Sequence, residues 1–169
     1  MTGVTTNTVT AVEIRERNTN DSKMLPDLVN ATAAHFAMRE VSADKQYASV
    51  NNFAVIDSHG ATPYIPFRAD HKGRGGGLWG KLFHFYSFNR YSFNRDEFLR
   101  HYHKRSNAET TFSMIKGKFG DAVRSKTDTA MTNEVLCKVL AHNVCVLIQS
   151  MYELGIEPTF WAEPARQAV

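Results

Sequence analysis

Apolar and polar positions change period several times along the chain, and each change predicts an element. Residues 4–14 alternate threonine with valine and isoleucine, the two-residue period of a strand, and a basic, turn-like stretch over 15–20 ends it. Residues 23–36 predict a helix with Leu25, Leu28 and Val29 on its apolar face; Asp21 or Ser22 can cap it, and Pro26 falls in the first turn, where proline is tolerated. A short strand over 39–43, terminated by Asp44, precedes a helix over 47–57 that stops at Gly60, and a strand over 63–67 follows. Strand, helix, strand, helix, strand implies an α/β fold: a mixed sheet flanked by helices, with parallel pairs joined by right-handed crossovers.

Two long helices close the chain, one over 95–119 ended by Gly120 and one over 128–154 ended by Gly155. The second carries Val135, Leu136, Val139, Leu140, Val144, Leu147, Ile148 and Met151, and reads as a packing element. Between the two halves, 71–77 reads as a basic glycine-rich loop. It lacks the Gly-Lys-Ser/Thr ending of a phosphate cradle, and its glycine spacing does not match the dinucleotide fingerprint. Residues 86–95 hold Tyr-Ser-Phe-Asn-Arg twice, a local duplication that reads as a linker.

Composition sharpens this picture in three places. A length of 169 residues with 43% hydrophobic content suits one domain, 1–169, with one core. The net charge of +3 is small, but basic residues concentrate over 95–126, where a polyanion would bind. No uninterrupted apolar run approaches the roughly 18 residues that span a bilayer, and the start of the chain has no signal-like core, so the expectation is a cytoplasmic protein with no membrane partner. Cys137 and Cys145 lie about 12 Å apart along one helix, too far for a disulfide, and are expected to be buried thiols.

Candidate chemistry gathers on the first long helix. Tyr102, Arg105, Glu109 and Lys116 fall inside an arc of about 60° at ~100° per residue, a single polar stripe beside the apolar Ala108, Phe112, Ile115 and Phe119. A carboxylate there can hold a hard divalent cation, while a guanidinium and an ammonium grip phosphate oxygens beside it, as phosphodiester transfer requires. The plain alternative is an i,i+4 surface ion pair between Arg105 and Glu109, with Lys116 solvated. Elsewhere, His101 and His103 face different directions and suit solvent or phosphate contact rather than joint zinc ligation. His142 and Asn143, in an apolar helix, suit structural hydrogen bonds, and Trp79 and Phe83 suit packing.

Tyr102-His-Lys-Arg105-Ser-Asn-Ala-Glu109, followed by Lys116, resembles the Tyr-x2-Arg-x3-Glu-x6-Lys signature of insertion-sequence DDE transposases without gap or substitution. Val41-Ser-Ala-Asp44-Lys-Gln-Tyr47, with Gly60-Ala-Thr-Pro-Tyr-Ile-Pro-Phe-Arg68 after it, resembles the family's segment around its middle metal-binding aspartate. The two blocks stand in the family's order, so the resemblance covers essentially the whole chain.

The resemblance implies a ribonuclease-H-like fold in which a five-stranded mixed sheet presents two aspartates and a helix presents a glutamate. It implies Asp44 and Glu109 as catalytic metal ligands for Mg2+ or Mn2+, and Arg105 and Lys116 as the grip on transposon-end DNA. Tyr102 is then expected to touch the DNA backbone or fix Arg105, or else to be a partly buried packing residue. The family's opening strand, with its first aspartate, has no match; Asp21 fits a turn before a helix, and Asp57 and Asp70 fit a helix end and a loop. The expectation is therefore an incomplete ribonuclease-H-like core that binds metal weakly and is inactive alone. Its partners are DNA ends and target DNA, with full-length transposase or self-association as further partners. The competing class is a non-catalytic DNA-binding or regulatory fragment, and a third is a metal nuclease of the same fold with another purpose.

Overall fold

A computed structural model of the chain describes residues 1–15, 21–72, 76–88, 95–155 and 157. Helix α1 (Leu25–Ala33) leads through a turn to strand β1 (Glu40–Ser42), helix α2 (Val50–Ser58) and strand β2 (Thr62–Tyr64). The two strands pair in parallel, with Val41 opposite Pro63, and α2 is the crossover between them. This is the α/β expectation on a small scale: among the described residues the sheet has two strands.

Local sequence explains these boundaries. Ser49 caps α2 by accepting the Asn52 N–H, and Gly60, at φ 70°, lets the chain turn back into β2. Pro26 sits in the first turn of α1, where its missing N–H costs nothing. Neither Asp21 nor Ser22 caps α1, because a 3₁₀ turn over Asp21–Met24 places Met24 at the cap position. The core is built where the strands meet α1 and α2. Leu25, Val29, Val41, Phe53, Ile56 and Ile65 are buried together, with Phe67 and Trp79 packed on Phe53 at 5.3 and 5.7 Å between ring centroids. Trp79 and Phe83 thus pack, as their spacing suggested.

Four sequence expectations are corrected. Residues 4–14 do not form a strand. They make a tight N-terminal loop with one antiparallel bridge, Thr2 to Val9, because among the described residues no strand lies alongside to take a ladder; the side-chain amide of Asn143 stands in for one at Val9. Helix α3 (Gly77–Phe88) runs through the start of the duplicated segment read as a linker, whose remainder lies outside the described residues, as do residues 73–75 of the glycine-rich loop. The first long helix is broken into α4 (Arg95–Tyr102), a 3₁₀ turn over His103–Arg105, and α5 (Ser106–Phe119). The buried face of α5 is centred on Thr111 and Ile115, while Phe112 points outward at 54% exposure and does not anchor the helix.

The last helix, α6 (Asp128–Glu153), starts and stops as read, with Thr127 accepting the Ala130 N–H and Gly155 at φ 63° beyond its end. Its role as a purely packing element is corrected. Val139, His142, Val146 and Ser150 are buried, but Leu136, Leu140, Val144, Ile148 and Met151 form an exposed stripe at three- and four-residue spacing. By length and composition α6 is apolar enough to cross a bilayer. Its inner face is tied instead to the N-terminal loop, through His142 Nε2 to the Asn7 carbonyl at 3.0 Å and Asn143 to both backbone groups of Val9 at 2.8 Å. Cys137 is exposed and Cys145 partly so, against the expectation of burial, and neither forms a disulfide.

Candidate functional site

Asp44 follows β1 directly and Glu109 sits in the first turn of α5, so two elements far apart in sequence end at one place. Arg105, closing the 3₁₀ turn, joins them. Its Nη1 lies 3.9 Å from Asp44 Oδ2 and 3.4 Å from Glu109 Oε1. The two carboxylate oxygens are thus no farther apart than those two lengths together. Asp44 occupies the cap position of the 3₁₀ turn over Lys45–Tyr47 in extended conformation, yet its side chain accepts no capping bond.

Tyr102 supports the guanidinium. The Arg105 Cζ lies 5.0 Å from the Tyr102 ring centroid, and the opposite neighbour is Phe98, stacked at 6.0 Å and 12°. A cation over an aromatic face is held by the ring quadrupole, so Tyr102 is both a packing residue and a rest for Arg105. Arg105 Nε is buried without an acceptor, leaving the guanidinium a donor that the protein itself does not use. Lys116 stands two turns beyond Glu109 on α5, exposed and without an ion pair among the described residues. The structure thus brings Arg105 and Glu109 together across the helix break and sets Tyr102 against Arg105, while Lys116 follows seven positions after Glu109 on α5 and makes no ion-pair contact with them.

The pair opens on a cleft of about 440 Å³ lined by Asp44, Arg105, Glu109, Lys104 and the apolar Leu28 and Val139. Two carboxylates and an open cleft suit a small hard cation, since magnesium is commonly held by one or two carboxylates with substrate phosphates and water completing the shell. The guanidinium now between them balances their repulsion and would have to swing aside for a cation. Among the described residues no group of three or more Asp, Glu, His or Cys side chains gathers for a metal.

The sequence reading missed a second cluster next to this one. Glu40, on β1, accepts from His101 Nδ1 and Lys104 Nζ, each at 2.5 Å, and Ser42 Oγ donates to the His101 carbonyl at 2.8 Å. His101 also stacks flat on Tyr64, 4.4 Å between centroids. This corrects the assignment of His101 to solvent or phosphate: it is half-buried and tied to the sheet. The available signal was that Glu40 and Ser42 are two apart on a strand, and so share a side of it.

Comparison with protein families decides what this arrangement belongs to. A family profile described as Transposase DDE domain matches residues 1–144. The chain belongs to the DDE transposase domain family. This family implies a polynucleotidyl-transfer enzyme lineage acting on DNA, generally with divalent metals, and the match spans α1 through most of α6 and so includes Asp44, Arg105, Glu109 and Lys116. No curated protein and no solved structure matches the chain.

Proposed function

We propose that this DDE transposase domain cuts and joins DNA at insertion-sequence ends as a member of the Tyr-Arg-Glu-Lys signature group, on a ribonuclease-H-like core. The observation that carries the reading is the sharing of one Arg105 nitrogen by Asp44 and Glu109. In this reading the two carboxylates hold magnesium or manganese. A bound divalent ion supplies activation of the attacking hydroxyl and charge relief at the leaving oxygen of an in-line displacement.

The chain's own residues do the rest. Arg105 moves from the carboxylates to a phosphate oxygen of the transposon end, where its planar fork makes a two-pronged contact. Tyr102 supports the guanidinium through its ring face, and Lys116 adds a point charge about 10 Å beyond Glu109 along α5. Two carboxylates rather than three give weak cation affinity, so the proposal includes little or no cleavage by this chain alone. The site of action is the DNA of the cytosol.

A titration of the full chain with Mn2+, read as paramagnetic broadening of backbone amide signals, tests the cation site. Broadening centred on Asp44 and Glu109 and lost in Asp44→Asn and Glu109→Gln is expected; no broadening there sinks it. The second reading, a non-catalytic DNA-binding or regulatory fragment, is favoured by the absence, among the described residues, of a group of three or more metal-ligating side chains. Salt-dependent binding to transposon-end DNA without metal-dependent nicking would select it.

A further inference from the structure

Two of the ties that hold α4 and the 3₁₀ turn to the sheet converge on one side chain. Glu40 Oε2 takes the His101 Nδ1 bond and Oε1 takes the Lys104 ammonium, so both oxygens of a half-buried carboxylate are committed to the α4–3₁₀ junction. Ser42 on the same side of β1 fastens the carbonyl of His101. Asp44 continues the two-residue alternation from Glu40 and Ser42, and Lys104 immediately precedes Arg105. Two bridges thus run side by side from the β1 segment to the 3₁₀ turn, Glu40 to Lys104 and Asp44 to Arg105.

They differ in quality. The Glu40 bridge is short and partly shielded, whereas the Arg105 contact to Asp44 is long at 3.9 Å, with Asp44 44% exposed. The Glu40 bridge is thus the firmer of the two and stands directly beside the Arg105 contact to Asp44.

We infer that Glu40 is a positioning residue, whose grip on His101 and Lys104 fixes the 3₁₀ turn and so places Arg105 and Glu109 against Asp44. Burial alone would raise the Glu40 pKa, yet the bonds from Lys104 and His101 hold it below its ordinary value, so the carboxylate is charged and its grip persists at neutral pH.

The functional importance of this placement rests on the cation site proposed above, so the test has two arms that fail separately. In the first, nitroxides on Val50→Cys and Lys118→Cys, in a Cys137→Ser/Cys145→Ser background, report by pulsed electron resonance how α5 stands against α2, the crossover helix packed on the two strands, with no metal present. One sharp distance is expected for the parent, and a distribution about twofold wider for Glu40→Gln, on the scale of losing a buried charge pair. A folded Glu40→Gln protein with the parent distribution overturns the inference. Should Glu40→Gln fail to fold, His101→Gln/Lys104→Met removes the same contacts from the other side, and the same two results decide.

In the second arm Mn2+ affinity is measured beside the melting temperature. Glu40→Gln is expected to weaken Mn2+ about 10-fold while shifting melting by only a few degrees, a split that a merely structural role does not give. Unchanged affinity in the folded variant overturns the link to the cation site. A parent chain that binds no Mn2+ at Asp44 and Glu109 removes the cation reading, and the distance arm then decides the placement by Glu40.

Discussion

The side-chain amide of Asn143 closes both backbone hydrogen bonds of Val9, donating from Nδ2 to its carbonyl and accepting its N–H at Oδ1, each at 2.8 Å. An amide presents one donor and one acceptor with the spacing of a peptide group, so it serves Val9 as a neighbouring strand would. His142 adds a bond to the Asn7 carbonyl from the adjacent position on α6. Asn143→Ala leaves two backbone groups without partners and should cost about 1–3 kcal/mol. Urea unfolding checks it, and a midpoint unchanged from the parent would show that the N-terminal loop is not held this way.

This relationship also shows why the N-terminal region was misread. Alternating threonine and valine report a fit to a pleated surface, but a strand exists only where a partner supplies the ladder, and over residues 4–14 the partners are a short backbone bridge to residues 1–3 and the Asn143 side chain of α6. The glycine stops of the helices were legible because their cause is local, Gly60, Gly120 and Gly155 lying in the positive-φ region, whereas the Ser49 and Thr127 caps were not read. The break at His103–Arg105 was not legible, nor were the bonds beside it from His101 and Lys104 to Glu40, more than sixty positions away. On the site, the periodicity of α5 placed Arg105, Glu109 and Lys116 on one stripe, but no spacing rule links Glu109 to Asp44; only the family resemblance did.

Helix α6 offers an internal control on packing. Val146 is 3% exposed and Leu140 is 65% exposed, six positions apart on one helix. Val146→Ala should cost about 2 kcal/mol, the transfer and cavity cost of two buried methyl groups. Leu140→Ala should stay within about 0.5 kcal/mol, since little is removed from the core. Chemical denaturation of both variants reads the difference; equal losses would mean that the outer stripe of α6 is covered in solution.

Glu134 gives the chain a defined acid response. Its carboxylate accepts the backbone N–H of Ser125 at 2.9 Å and that of Arg124 at 3.0 Å, with Lys138 Nζ 3.3 Å away, tying the α5–α6 connection to α6. The Ser125 bond leads these in lowering its pKa from 4.5 to about 2. A depressed carboxylate stabilises the fold above its unfolded pKa, and that contribution is lost as pH falls through the folded value. The stability gap between the parent and Glu134→Gln should therefore be full above pH 4.5 and shrink toward pH 2. Urea midpoints of both proteins across this interval check it, and a gap that stays constant throughout would contradict the assignment.

Arg105 and Lys116 should separate in their response to salt when the chain binds transposon-end DNA. Lys116 is an exposed ammonium with no ion pair among the described residues, so a phosphate contact there acts through counterion release. Lys116→Ala should lower the slope of log affinity against log salt by about 0.9 and weaken binding equally for end and unrelated sequences. Arg105 does more, because its fork rests on Tyr102 and its Nε still lacks an acceptor. A lysine keeps the charge but loses the planar contact and the stack, so Arg105→Lys should leave the slope nearly unchanged and still reduce affinity about 10-fold, the loss of one charge-assisted contact. Filter binding over a salt series resolves the two, and an Arg105→Lys protein that binds as tightly as the parent would limit Arg105 to neutralising Asp44 and Glu109.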